Sequence, residues 1–337
     1  MSLVRSALLA TLAAACGGAS SGVVGNHPAA PEISAAQLIG LAPAARPVFV
    51  AHQTAYLWLH LVAMSDDPLA PSATLPDCPD VNDRACWKAV PAEADRAAQL
   101  GALPPTVTVV TPRGTCVATV GAAKLVNTSG CDQSLTYGAE LSGCGTDVAP
   151  VGFVGGDVPS DLRWLPTPPI KTAALPADPA TLTDPVQRRY VTSWLGTGSL
   201  AGTRRDGHTA VVAVDAGAEA LTTIVAGALV GDSADECELN AAEDEVLGLR
   251  RGDQFTELAL TAGPEVDGYV EHVTTWDGAL ARGGRVVGVV SGGPRQVMLH
   301  AIGAGAAPTP LFTETIWWDN EECTQGTWSG VEFPCGP

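Results

Sequence analysis

The sequence predicts a mainly β protein with a few helices (α+β), in which a small mixed N-terminal domain precedes a β-sandwich or barrel-like domain stapled by disulfides. Three observations predict this class. Short β-rich segments separated by glycine turns recur through the second half, 46% of the residues are hydrophobic, and eight cysteines follow Cys16. Many short strands with spaced turns favour a sandwich or barrel over a βαβ sheet.

The N-terminus has the pattern of an export signal. A weakly basic start with Arg5 precedes an apolar run, and three alanines lead into Cys16. A Gly- and Ser-rich stretch and then a Pro- and Ala-rich stretch follow, which is typical of a flexible tether. We therefore interpret residues 1–15 as a signal peptide and residues 16–46 as a tether that ends in a short helix.

Helices are predicted where the folded part begins. Ser34 and Gln37 have the spacing of a capping box for a short helix. Pro47 suits the first turn of a second helix that extends to about Met64. Strand-like segments follow it, so we group residues 47–158 as a mixed α/β domain.

The strand signals begin with a hairpin that turns at Pro112-Arg113-Gly114. Residues 159–185 are rich in proline, which removes the backbone donors that a central strand needs, and we interpret them as a linker or strap. Residues 186–337 then form a predicted β-rich domain, in which apolar residues at helical spacing predict one helix near 234–250. The predicted strands are 106–110, 116–120, 135–141, 148–154, 190–195, 209–214, 221–230, 255–260, 269–276, 286–290 and 296–302.

The charge balance excludes one class of partner. The chain has 18 basic and 36 acidic residues and a formal net charge of −18. Such a surface repels phosphate backbones, so we expect no nucleic-acid partner, and the acidity serves solubility.

The cysteines agree with export. An even number of cysteines after Cys16 predicts four disulfides in an oxidising compartment, and neither a CxxC pair nor a Cys/His cluster with zinc spacing is present. The sequence leaves the pairing open, although Cys78–Cys86 and Cys323–Cys335 would each close a short loop. The expected disulfide cysteines are Cys78, Cys86, Cys116, Cys131, Cys144, Cys237, Cys323 and Cys335.

The start of the chain resembles bacterial lipoproteins, whose lipobox places small residues before a cysteine that receives lipid. The resemblance covers residues 1–20 and implies that Cys16 is acylated. In Gram-negative lipoproteins, Asp directly after the acylated cysteine is the usual signal that prevents sorting to the outer membrane. Gly17 at this position therefore implies sorting to the outer membrane. We expect the acyl chain to be the membrane contact, because no later run reaches the roughly 18 to 20 apolar residues of a spanning helix.

A cluster of aromatic and polar residues near the C-terminus is the candidate ligand-binding site. Indole faces stack on sugar rings or anchor protein interfaces, and neighbouring oxygens can hold a sugar hydroxyl. The alternative is that strand alternation buries one tryptophan in the core. The candidate residues are Trp317, Trp318, Asp319, Asn320 and Trp328.

Three short segments resemble those that hold the His, Asp and Ser of trypsin-like serine proteases. They are Ala51-His52, Asp147-Val148-Ala149 and Ser291-Gly292-Gly293-Pro294. The resemblance implies His52 as base, Asp147 as its orienting acid and Ser291 as nucleophile. The family has Gly-Asp directly before its serine, where this chain has two valines.

Together these features predict a lipid-anchored surface protein that is not an enzyme and that binds a protein or glycan ligand. A hydrolase that uses the three segments and a purely structural envelope component are the alternatives. No cofactor, metal ligand or catalytic residue is assigned, and the oligomeric state stays open.

Overall fold

Three antiparallel β-sheets, one of them closed into a barrel, make up most of the fold. The computed structural model describes residues 34–53, 56–62, 102–127, 135–198, 200–201, 204–230, 240–260, 276–292, 296–303, 307–315, 327–328 and 331–332. The chain is therefore mainly β, as the sequence predicts. Residues from Ser34 onward form one compact unit.

Helix α1 (Ala35–Ile39) opens the described chain. The hydroxyl of Ser34 accepts a hydrogen bond from the backbone N–H of Gln37, and the Gln37 side chain accepts one from the backbone N–H of Ser34. This is the capping box that the sequence predicts. Gly40 ends the helix in the left-handed conformation, with φ of 86°.

The barrel contains the first six strands, in the closed order β1-β2-β5-β4-β3-β6. The buried side chains that are described inside it are aliphatic and form one core. The fit is close, because a Cβ on Gly152 would lie 2.7 Å from a methyl group of Val107 and 3.0 Å from one of Val50. The strands are β1 (Arg46–Gln53), β2 (Tyr56–Val62), β3 (Thr106–Thr111), β4 (Gly114–Asn127), β5 (Leu135–Ser142) and β6 (Val151–Val154).

Two open sheets follow, each of five strands. The middle sheet has the order β16-β15-β14-β13-β7 and the outer sheet the order β12-β11-β10-β9-β8. The middle-sheet strands are β7 (Arg163–Pro166), β13 (Gly278–Arg282), β14 (Arg285–Gly292), β15 (Gln296–Ala301) and β16 (Thr309–Thr315). The outer-sheet strands are β8 (Ala173–Ala174), β9 (Arg204–Asp215), β10 (Ala220–Val230), β11 (Asn240–Arg251) and β12 (Gln254–Glu257).

The remaining elements are short. Helix α2 (Pro185–Thr197) packs on the outer sheet, and Pro179–Thr181 forms a single 3-10 turn before it. Strands β17 (Thr327–Trp328) and β18 (Val331–Glu332) pair with each other. Neither α-helix in the described ranges has the length and apolar character needed to cross a membrane.

The middle sheet packs against a different partner on each face. Leu280 and Leu299 belong to a core that also contains Phe153 of the barrel. On the opposite face, Val286 and Val289 pack with residues of the outer sheet, such as Leu221. The barrel, the middle sheet and the outer sheet are therefore three layers held together by two apolar cores.

A buried carboxylate joins the outer sheet to the middle sheet. Glu219 lies in the turn between β9 and β10, and its side chain is 1% exposed. Its Oε1 accepts a 2.8 Å hydrogen bond from the backbone N–H of Val286 at the start of β14. Its Oε2 accepts from Nε and Nη2 of Arg251 at the end of β11, at 2.9 and 2.7 Å. One side chain thus ties three strand ends together.

The helix predicted from Pro47 to Met64 is wrong, because this segment forms strands β1 and β2. Phe49 packs in the core beneath the middle sheet, whereas Val50 packs inside the barrel. A strand with both faces buried gives an almost continuous apolar run, and such a run does not distinguish a strand from a helix.

In two further segments the predicted type of element is wrong: one predicted helix is a strand, and one predicted strand is a helix. Residues 240–251 form strand β11, not a helix near 234–250, and β11 pairs with β10 at eleven successive positions. Residues 190–195, predicted as a strand, lie in α2, which Asp184 caps and Pro185 opens. Most of the predicted strand 269–276 lies outside the described residues.

The proline-rich residues 159–185 contribute to the sheets. Strand β7 pairs with β13, and β8 pairs with β9. Both lie at sheet edges, where proline is tolerated because one side of the strand has no partner.

One disulfide lies within the described chain. Cys116 on β4 is bonded to Cys144, which follows β5, with a Cα–Cα distance of 6.0 Å. The bond crosses between neighbouring parts of the barrel wall. The other predicted disulfide cysteines lie outside the described residues, as does Cys16.

Candidate ligand-binding surface

Four of the five predicted ligand residues, Trp317 to Asn320, lie outside the described residues. Trp328 lies on β17, where its backbone pairs with Val331, and its side chain is likewise not described.

The three protease-like segments lie in different parts of the fold. His52 is on β1 and pairs with Leu57, and its side chain is outside the described set. Asp147 is exposed between β5 and β6 of the barrel. Ser291 is on β14 and 1% exposed, on the same face as Val289, which packs toward the outer sheet. The serine therefore faces away from the barrel that carries the other two segments.

A cluster of three aromatic side chains lies where α2 meets the edge strand β12. Tyr190 is central, with its ring centroid 5.7 Å from that of Trp194 and 5.6 Å from that of Phe255. The Tyr190 and Phe255 rings meet edge to face at 67°. All three residues are partly exposed, and we call them, together with Arg189 and Glu257, the aromatic patch.

Local sequence and long-range pairing both build the patch. Tyr190 and Trp194 are four residues apart on α2, so they lie on one face of the helix. Phe255 follows the turn between β11 and β12, and its ring lies over Gly248 of β11. A Cβ on Gly248 would lie 2.5 Å from Cζ of this ring, so only glycine leaves the space that the ring occupies.

Two charged side chains flank the central tyrosine. The Tyr190 hydroxyl donates a hydrogen bond to Oε1 of Glu257 and accepts one from Nη2 of Arg189 at 3.0 Å. The Arg189 guanidinium also lies 4.7 Å from the centroid of the Tyr190 ring, within cation–π range. Arg189 and Glu257 are themselves exposed. The patch therefore presents a donor, an acceptor and partly exposed rings to solvent.

The Tyr190 hydroxyl stays protonated at neutral pH. Burial and then the hydrogen bond to Glu257 raise the pKa of Tyr190 above its usual value, and Arg189 only partly opposes this. The hydroxyl consequently remains a donor to the Glu257 carboxylate, which holds that carboxylate beside the rings.

A capped and packed helix holds the patch in place. The Asp184 carboxylate accepts hydrogen bonds from the N–H groups of Val186 and Gln187 and pairs with Arg250 of β11. Burial raises the pKa of Asp184, but the Arg250 and backbone hydrogen bonds outweigh it and hold that pKa below its usual value. Val191 is fully buried against the outer sheet. The rings therefore project from a fixed helix.

The sequence analysis missed this site because it interpreted residues 190–195 as a strand. It therefore did not place Tyr190 and Trp194 together on one face of a helix. The available signal was Asp184-Pro185, an N-cap followed by proline at the first helical position. Within the described ranges, no group of three His, Cys, Asp or Glu side chains is arranged to hold a metal ion.

Comparisons with protein-family models, with curated proteins and with solved structures gave no match.

Proposed function

We propose that this protein is a lipid-anchored, extracytoplasmic surface protein that binds a protein or glycan ligand through the aromatic patch. The observation that carries the proposal is the clustering of three partly exposed rings around one hydrogen-bonded tyrosine, on a capped helix. Aromatic side chains with a polar rim are the typical composition of the energetic centre of a binding surface.

The proposed location rests on the N-terminal pattern and on a cysteine bond. The run of alanines before Cys16 supports acylation and attachment to the outer membrane. The Cys116–Cys144 disulfide supports an oxidising compartment, since such bonds are rare in the cytosol. The net charge of −18 argues against a nucleic-acid partner. In this proposal the membrane is contacted through the acyl chain alone, and ligand binding needs no cofactor.

Replacing the proposed lipid-bearing residue tests the anchor. We expect Cys16→Ser to abolish incorporation of an alkyne-labelled fatty acid into the full-length protein. Cys116→Ser serves as the control, because it removes a different cysteine and should leave labelling unchanged. Continued labelling of the Cys16→Ser protein would contradict the proposed anchor.

Site-directed photo-cross-linking in the native envelope tests the binding surface. Ser193 is exposed on α2 directly before Trp194, and Val117 is 62% exposed on the barrel, outside the patch. A photoreactive amino acid at Ser193 should form covalent adducts, whereas one at Val117 should not. Equal adduct formation at the two positions would remove the support for a binding surface here.

A double variant checks that the adducts depend on the patch. Arg189→Ala combined with Glu257→Ala removes the exposed polar rim, and we expect it to reduce adduct formation at Ser193 at least fivefold. The matched control is Asp161→Ala combined with Arg282→Ala, because Arg282 and Asp161 also form an exposed ion pair, at 2.9 Å, away from the patch. Adducts that persist unchanged in the patch variant would contradict the proposal.

A further inference from the structure

The aromatic patch carries its own cation and its own anion. Arg189 and Glu257 both contact the Tyr190 hydroxyl, one as donor and the other as acceptor. Their charges are opposite, so the polar rim of the patch is formally neutral. This local neutrality contrasts with the net charge of −18 of the whole chain.

A charged ligand is disfavoured at this surface for two reasons. A cationic ligand that sought the Tyr190 ring would have to displace the Arg189 guanidinium, which already lies 4.7 Å from the ring centroid. An anionic ligand would approach against the field of a strongly acidic protein. The surface therefore favours a neutral ligand.

The chemical groups of the patch specify that ligand further. Aromatic side chains of partly exposed residues suit contact with apolar C–H surface, the Glu257 carboxylate accepts hydrogen bonds, and the Arg189 guanidinium donates them. A neutral ligand that offers C–H faces together with hydroxyl donors and acceptors is a saccharide. Resting on the binding function proposed above, we infer that the aromatic patch binds a neutral glycan, with sugar rings against Trp194 or Phe255 and hydroxyls on Arg189 and Glu257.

The ligand class is tested by titrating the full-length protein with soluble polysaccharides. The neutral probes are a β-glucan, an α-glucan, a mannan, a galactan and a xylan, and the anionic probes are alginate and heparin. We expect saturable binding of at least one neutral probe by affinity electrophoresis and calorimetry, and no comparable binding of the anionic probes. Preferential binding of the anionic probes would overturn the inference.

Two variants separate stacking and hydrogen bonding from simple packing. Phe255→Leu keeps apolar volume over Gly248 but removes the flat ring, and Glu257→Ala removes the acceptor. Each should raise the Kd for the neutral probe at least tenfold while the melting temperature stays within about two degrees of that of the wild type. The Asp161→Ala/Arg282→Ala protein should bind as the wild type does. Unchanged affinity in both patch variants would overturn the inference.

The failure of this inference can be distinguished from failure of the binding function. If every neutral polysaccharide fails to bind, yet the photoreactive group at Ser193 captures a protein in a patch-dependent manner, the glycan inference is wrong and the binding function stands. If the polysaccharides fail and the Ser193 adducts are also absent, both proposals are wrong.

Discussion

Phe153→Ala is expected to lower the free energy of unfolding by about 3 to 5 kcal/mol, the usual cost of removing a buried aromatic ring. Phe153 is 1% exposed on β6 of the barrel. It belongs to the core that also contains Leu280 and Leu299 of the middle sheet. The loss should therefore weaken both layers, and urea denaturation followed by circular dichroism measures its size.

Hydrogen exchange distinguishes a shared core from a local effect. We expect the Phe153→Ala protein to exchange faster in β3 of the barrel and also in β15 of the middle sheet, because side chains of both strands pack in the same core. Val117→Ala is the control, since Val117 is exposed on the barrel and its loss should cost less than about 0.5 kcal/mol. Unchanged exchange in β15 would show that the barrel loses stability without the middle sheet.

Glu219→Ala is expected to lower the free energy of unfolding by about 3 kcal/mol. The substitution leaves the N–H of Val286 without an acceptor in a buried position and removes both hydrogen bonds from Arg251. An unsatisfied buried donor costs about 1 to 3 kcal/mol, and hydrogen bonds to a charged group contribute about 1.5 to 3 kcal/mol. The Arg251 contribution is discounted because its side chain is 54% exposed and can be hydrated.

Two related variants should give a graded series in the same urea denaturation experiment. Glu219→Gln retains an acceptor for Val286 but places an amide opposite Arg251, so its cost should lie between that of alanine and zero. Arg285→Ala should cost less than about 1 kcal/mol, because Arg285 is 3.8 Å from Glu219 and half exposed. A Glu219→Ala protein as stable as the wild type would show that the carboxylate does not join the sheets energetically.

Local signals were sufficient where an element is determined by its own residues. The capping box at Ser34 and Gln37 predicts α1, and the turn around Gly114 predicts the β3–β4 hairpin. The mainly β class also follows from local pattern, because short strands with turns between them recur along the chain. In these cases the interactions that define the element lie within a few residues of one another.

Non-local packing explains the wrong predictions. Residues in β11 include apolar positions at helical spacing, but pairing with β10 on one side and β12 on the other makes the segment a strand. Leu247 and Leu249 then lie on the same face of β11 and pack against the core between the two open sheets. The partners that decide this outcome are not visible within the segment itself.

The aromatic patch could not have been assembled from sequence for the same reason. Tyr190 and Phe255 are far apart in the chain, and their contact depends on how β11 presents β12 to α2. The role of Gly248, which is to leave space for the Phe255 ring, cannot be inferred until the position of that ring is known. Sequence reasoning instead selected adjacent tryptophans, because adjacency in the chain is the proximity that it can detect.

The interior of the barrel is closely packed where β6 passes β1 and β3 at Gly152. The inner wall leaves no room for one more carbon atom at Gly152, because methyl groups of Val107 and Val50 already occupy that space. Any larger residue at position 152 must therefore shift β6, the strand that also places Phe153 in the core shared with the middle sheet.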